Sequence, residues 1–165
     1  MTGRVFEDST IRQTIHTSIG GSQIRLQISN AFGIYDLPVT AVTVALPVNG
    51  SAGVNGIQPH TLKTVTFSGS SNYTIPQGAL AVSDPINMAV SPQSILTVTI
   101  YLAQGQQSNL ITSHPGSRTT SWWTSGNQVS AASLTGPTLA SAAHWYLPTS
   151  SAVFGTRLTS RQGIS

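Results

Sequence analysis

The sequence predicts an all-β fold, with antiparallel strands packed as a two-sheet, jelly-roll-like β-sandwich. Three observations carry that expectation. Apolar and polar residues alternate with period two, most clearly over residues 11–33 (IRQTIHTSIGGSQIRLQISNAFG) and 94–102, the pattern of strands with one buried face. Turn residues recur roughly every ten positions, and no segment sustains a helical pattern of three turns. The composition of the 165 residues agrees: 39% are hydrophobic, with 15 Gly and 9 Pro, and only 7% are charged. With a single Glu and a single Lys, salt-bridged helical surfaces are ruled out.

Each element follows from its residues. Ile11, Ile15 and Ile19 share one parity before Gly20-Gly21, and Ile24, Leu26 and Ile28 repeat the pattern after it. Paired glycines tolerate the positive φ of a primed turn, so the two runs read as a β-hairpin. Arg12 and Arg25 fall on the polar parity, either held by carbonyls or by Asp36 and Asp84, or left as exposed cations. Residues 39–48 (VTAVTVALPV) are β-branched and read as a buried strand, broken by Pro47, Asn49 and Gly50. A Gly/Asn loop follows over 51–59. Residues 62–67 alternate again, 69–72 turn the chain, and 73–75 form a short strand stopped by Pro76. After the turn at 76–78, residues 79–82 are extended. Asp84, before Pro85, suits an Asx-turn in which it accepts backbone N–H bonds.

The clearest strand is 94–102. Leu96, Val98, Ile100 and Leu102 face one way, with Thr97, Thr99 and Tyr101 opposite. Residues 119–123 and 144–147 are further strands, and 152–159 is a weaker one. The nearest helix candidate, 129–139, is read as a loop because of Gly136-Pro137 and its Ser/Thr content. The expected core holds Ile15, Ile24, Leu26, Ile28, Val98 and Ile100. The whole chain, 1–165, reads as one sandwich domain.

Composition also narrows the function. The net charge is +3 and the pI about 9.8, yet the seven basic residues are spread along the chain. No cluster gives an electrostatic footprint, so no nucleic-acid partner is expected. Cysteine is absent, which excludes disulfides, thiolate metal sites and a cysteine nucleophile. No window has the length of a membrane helix. The opening MTGRVFEDST lacks the apolar run of a signal peptide. Asn49-Gly50-Ser51 and Asn72-Tyr73-Thr74 are glycosylation sequons should the chain be secreted.

Candidate ligand contacts are few. Trp122 and Trp123 are adjacent and point to opposite faces of a strand. The outer ring either stacks on a sugar, covers the sheet, or docks on a neighbouring domain. Trp145-Tyr146 follow the same logic with more weight on core packing. His114 precedes a proline in a loop, where it anchors the loop or contacts a ligand. His16, His60, His114 and His144 lack ligand spacing, so neither metal nor cofactor is expected.

The block TIRQTIHTSIGGSQIRLQISNAFG is followed in order by Leu37-Pro38-Val39-Thr40, TFSG within 62–69, Ile75-Pro76-Gln77-Gly78-Ala79, and Val82-Ser83-Asp84-Pro85. Residues 96–102, His114-Pro115-Gly116-Ser117-Arg118 and Trp145-Tyr146 complete the series. This series resembles the N-terminal β-sandwich region of secreted SGNH (GDSL-type) hydrolases of fungi and bacteria. The resemblance implies an extracellular location and esterase or acetylesterase chemistry, often on carbohydrate esters. It also implies an SGNH catalytic domain as partner, beginning soon after the position of Ser165. The chain departs at the decisive point: it contains no Gly-Asp-Ser, no Gly-x-Asn-Asp and no Asp-x-x-His.

The sequence therefore suggests a non-catalytic accessory domain, contributing to stability or substrate binding. Trp122, Trp123, His114 and Arg118 are its candidate ligand contacts, and no catalytic residue is assigned. A stand-alone carbohydrate-binding, lectin-like module and a small hydrolase with an unrecognised site are the alternatives. A docking face for the catalytic domain is expected around 114–123 and 145–146.

Overall fold

The computed structural model describes residues 4–108, 110–147 and 149–154. Its strands are β1 (Arg4–Val5), β2 (Ser9–His16), β3 (Gln23–Ser29), β4 (Leu37–Val39), β5 (Ala41–Ala45), β6 (Lys63–Thr64), β7 (Tyr73–Ile75) and β8 (Leu80–Val82). The second half adds β9 (Ile95–Leu102), β10 (Gln106–Gln107), β11 (Ser113–Pro115), β12 (Ser121–Ser125), β13 (Ala140–Ala142), β14 (His144–Tyr146) and β15 (Thr149–Phe154). Helical backbone among the described residues is confined to two short 3-10 turns, Val48–Gly50 and Pro59–Thr61. The loop reading of 129–139 holds.

A six-stranded sheet runs β13-β12-β2-β9-β5-β6, and a three-stranded sheet runs β15-β3-β8. Three two-strand ribbons, β4-β7, β11-β14 and β1-β10, complete the set. All pairings between these strands are antiparallel. The registers Ile11↔Ile100, Ile15↔Leu96, Val42↔Ile100 and Val44↔Val98 bring the apolar parities of three strands to one face. That face meets Ile24, Leu26, Ile28 and Ala81 of the smaller sheet and Leu37, Val39 and Ile75 of the β4-β7 ribbon, in one buried cluster. The fold is all-β, with the layered packing of a β-sandwich. All six residues expected in the core are buried.

The other face of the large sheet is buried too. Thr10, Arg12, Thr14, Thr43, Thr97 and Thr99 lie there at 4% exposure or less. Segments 52–57 and 126–134 lie over them, tied down by hydrogen bonds. Thr10 Oγ1 donates to Gly126 O and accepts from Gln128 N, while Thr43 Oγ1 donates to Val129 O. Arg12 Nη1 donates to Asn55 O, Nη2 to Ala131 O and Nε to Thr99 Oγ1. The two segments also join each other, through Ile57 N to Ala132 O and a two-way bond between the Asn55 amide and Leu134. Alternation placed these threonines and Arg12 on the polar parity, and of the readings open for Arg12 the structure shows the one in which carbonyls hold it. The structure makes them the underside of a polar layer in which Thr10, Arg12, Thr14 and Thr43 bond loop backbone, Thr99 accepts from Arg12, and the Thr97 hydroxyl has no partner among the described residues.

The expected hairpin at Gly20-Gly21 is overturned. β2 pairs with β9 and β12, and β3 pairs with β8 and β15, so the two runs belong to different sheets. Neither glycine takes a positive φ. Gly20 is required for space: a Cβ there would sit 2.7 Å from Pro92 Cδ and 2.8 Å from Val90 O. Gly21 forms a bridge with Val90. The chain crosses between layers there, and Ile19 is left 61% exposed.

Two further expectations shift. Over 62–67 only Lys63–Thr64 is strand, followed by a bridge from Phe67 to Ser70. Asp84 does accept backbone N–H bonds, but from the 66–69 loop rather than from its own turn. Its carboxylate takes Ser68 N at 3.0 Å, Gly69 N at 2.8 Å and Thr66 Oγ1 at 2.7 Å.

Candidate functional site

β12 fixes the two adjacent tryptophans. Trp123 opposes Ile11 and Trp122 opposes Arg12, so the rings emerge on opposite faces of the large sheet. Both are half-buried. Trp122 lies on the loop-covered face and donates its Nε1 proton to Gly53 O at 2.9 Å. Trp123 sits at the margin of the core in an edge-to-face cluster, 6.1 Å from Phe6 and 5.7 Å from Tyr146, whose own rings are 5.0 Å apart. Burial raises the Tyr146 hydroxyl above its ordinary pKa.

A cleft of about 480 Å³ opens beside Trp123, within the range that admits a small ligand. Phe6 and Trp123 supply its aromatic wall. Arg4, Glu7, Ser125 and Thr138 supply polar groups. Phe6 and Asp8 both hold positive φ, 57° and 45°, a costly conformation for side-chain-bearing residues. The bend is held by Tyr101, whose hydroxyl donates to Asp8 at 2.7 Å and so has its pKa raised. Gly126 N adds a bond to Asp8 O at 2.6 Å. This bent segment turns Phe6 and Glu7 into the cleft lining. The Glu7 carboxylate has no hydrogen-bond partner among the described residues.

A smaller cleft of about 110 Å³ lies at the other end of β2, lined by Thr14, His16, Ala52, Ile95, Arg118, Thr119 and Trp145, with Ile15 at its floor. Its walls are linked through Thr14. Trp145 Nε1 donates to Thr14 O at 3.2 Å, Gly53 N donates to Thr14 Oγ1 at 2.8 Å, and the Thr14 and Thr119 hydroxyls share a 2.9 Å bond. Gly53 has φ +73°, and a Cβ there would crowd Thr120 N at 3.0 Å.

His114 is in strand β11 rather than a loop. It opposes Trp145 in the β11-β14 ribbon, with ring centroids 5.9 Å apart. The structure therefore gathers His114 and Arg118 around Trp145, and places Trp123 with Phe6 elsewhere. Trp122 belongs to neither lining but shares Gly53 with the smaller cleft. Phe6, Glu7 and Arg4 carried no signal in the sequence beyond an aromatic residue flanked by charges.

The four acidic residues are distributed unevenly. Asp84 is bound to the 66–69 loop, Asp36 accepts Gln77 N at 2.9 Å, and Asp8 accepts Tyr101 Oη. Glu7 is the fourth. No three His, Asp or Glu side chains come together among the described residues.

The expected apolar face around 114–123 and 145–146 is not where exposed apolar side chains lie. Trp122 and Trp145 turn their indoles to backbone carbonyls, and Trp123 and Tyr146 pack on Phe6. The most exposed large apolar side chains described are Phe32 (76%), Ile19 (61%), Leu80 (57%) and Leu110 (56%). No protein-family model matches the chain, and no curated protein matches it.

Proposed function

We propose that this chain is a non-catalytic β-sandwich accessory to a secreted SGNH-type carbohydrate esterase, and that it contacts the carbohydrate at the Trp123 cleft. The placement of the acids carries this reading. A Ser-His-Asp triad needs a carboxylate beside an imidazole, and each aspartate here is spent on a scaffold donor. The remaining acid, Glu7, faces a cleft whose lining contains Trp123, Phe6 and Arg4 but no histidine among the described residues. Aromatic rings flanked by an acid, a guanidinium and two hydroxyls suit a sugar. The ring covers an apolar C–H face, and the polar groups bond its hydroxyls.

The ordered sequence blocks shared with SGNH N-terminal regions support the accessory role, and with it a location outside the cell. The test has two arms. The purified chain, given acetyl and short acyl esters, should show no turnover above background and no labelling by a serine-reactive inhibitor. On a glycan array it should bind, and Glu7→Gln should weaken that binding. Turnover abolished by one Ser→Ala change overturns the non-catalytic reading. An array without a hit overturns the carbohydrate contact.

A further inference from the structure

We propose that Asn49 is a site of spontaneous modification, converted to aspartate and isoaspartate through a succinimide, and that the fold protects the matching site at Asn55. The inference does not rest on the accessory reading or on either cleft.

The chemistry needs an asparagine followed by a residue whose backbone nitrogen is sterically open. That nitrogen, once deprotonated, attacks the side-chain amide carbon. Glycine has no Cβ and obstructs the attack least. The sequence holds two such pairs, Asn49-Gly50 and Asn55-Gly56.

The structure treats the two differently. Asn49 is exposed, and its side-chain amide has no partner among the described residues. It lies in the 3-10 turn Val48–Gly50, which contains no buried residue and has no side-chain cap among the described residues. Asn49 itself holds φ 55°, a conformation that costs a side-chain-bearing residue energy. One bond, Gly50 N to Pro47 O at 3.1 Å, occupies the attacking nitrogen. Among the described residues, no atom outside the turn's own neighbours lies within 4 Å of the position a Gly50 Cβ would take. Opening this turn to water gives up little, and it frees the nitrogen to reach the amide carbon.

Asn55 is held at three points. Its Nδ2 donates to Leu134 O at 2.8 Å, its Oδ1 accepts Leu134 N at 3.0 Å, and its backbone O accepts Arg12 Nη1 at 2.8 Å. Gly56 is packed as well, with its Cβ position 3.3 Å from Val48 Cγ2 and 3.4 Å from Ser133 Oγ. Turning this amide toward Gly56 N breaks several bonds, one of them charge-assisted, where Asn49 breaks a single turn bond. The excess slows the reaction at Asn55 by roughly a hundredfold.

The step is balanced without any oxidant. Hydroxide takes the Gly50 N–H proton, the Gly50 N to Asn49 Cγ bond forms, and the Cγ–Nδ2 bond breaks as Nδ2 leaves with a proton as ammonia. Water then opens the succinimide. Attack at Cγ restores the chain path and gives aspartate. Attack at the backbone carbonyl carbon leaves the chain running through Cγ, as isoaspartate. The net change is one water in and one ammonia out. The product carries a new negative charge on a chain of net charge +3, and it has lost the amide nitrogen that the Asn49-Gly50-Ser51 sequon would offer a glycan.

The experiment ages the full chain in neutral buffer, both folded and unfolded in guanidinium chloride. A tryptic digest and electron-transfer tandem mass spectrometry then quantify aspartate and isoaspartate at each position. In the folded chain position 49 should convert, with isoaspartate among its products, and position 55 should lag by roughly a hundredfold. In the unfolded chain the two positions should convert at similar rates. Gly50→Ala should slow position 49 in the unfolded chain, where its own fold has no bearing. Equal rates at 49 and 55 in the folded chain overturn the protection. Retention of the amide at 49 in the folded chain, over a time in which the unfolded chain converts, overturns the site. An unchanged rate in unfolded Gly50→Ala overturns the succinimide route.

Discussion

Replacing Arg12 by methionine tests the polar layer under the large sheet. The guanidinium has no exposure and donates three hydrogen bonds, two to loop carbonyls of Asn55 and Ala131 and one to Thr99. No carboxylate stands among these partners. Desolvation pulls the Arg12 pKa well below its ordinary value, down to about 10, which corresponds to roughly 3 kcal/mol of burial cost. Each charge-assisted bond returns about 1.5–3 kcal/mol. Arg12→Met removes both terms and leaves two carbonyls facing a thioether. The balance is a loss on the order of 3 kcal/mol, or about 6–12 °C in Tm for a chain of this length.

The pH dependence is specific. Because burial lowers this base's pKa to about 10, the guanidinium is charged in both folded and unfolded chains below that value. The cost of burying its charge is felt in full there and fades as pH rises from the folded value toward the ordinary one. The loss in Arg12→Met should thus be constant from about pH 5 to 9. Urea unfolding gives the energy. Hydrogen exchange at the Ile57 and Leu134 amides, which bond Ala132 O and the Asn55 side chain, reports the loops. A loss below about 1 kcal/mol with unchanged protection at these amides would refute the clamp.

Two further substitutions probe the scaffold. Gly20→Ala should destabilise by about 1–3 kcal/mol, the scale of overpacking, because its methyl meets Pro92 and the Val90 carbonyl; a neutral result in urea unfolding would return Gly20 to an ordinary turn. Asp84 has its pKa lowered first by the Gly69 N–H and then by the Thr66 hydroxyl, with smaller help from Ser68 and Arg25. A carboxylate depressed in the folded state stabilises above its ordinary pKa of 3.8, and that contribution is lost as pH falls through the folded value. Asp84→Asn should lower Tm at pH 7 and flatten the acid limb of the Tm–pH curve; an unchanged acid limb would show that the loop bonds carry no stability.

The strands were legible wherever one parity was apolar and the other polar. β7 matches its expected bounds, and β9 begins one residue late. What alternation cannot reveal is who covers the polar parity. Thr10 and Thr43 bond loop carbonyls on that parity, and Thr97 and Thr99 beside them are each 1% exposed. Threonine suits both settings, since its hydroxyl bonds water or a loop carbonyl equally well. Gly20-Gly21 misled for a similar reason: glycine serves a positive φ and a close approach alike, and only the neighbour at Pro92 distinguishes them. His114 and Arg118 come near Trp145 from one short block of sequence, so their proximity to each other follows from the chain. Phe6 and Glu7 were not legible, since their partners Trp123 and Thr138 arrive from the far end of the chain.

The crossover at Gly20 also decides when the protein can fold. A hairpin would let β2 and β3 pair as soon as they were made. Instead β2 waits for β9 and then β12, while β3 waits for β8 and β15. Such long closures must be completed before their contacts compensate the lost entropy, and β topologies of this kind fold in about milliseconds to seconds. With 7% charged residues, the waiting strands have few gatekeepers against pairing with other chains. Synthesis therefore leaves β2, the centre of the large sheet, with both edges unpaired until β9 emerges, and with one edge still open until β12 is complete at Ser125.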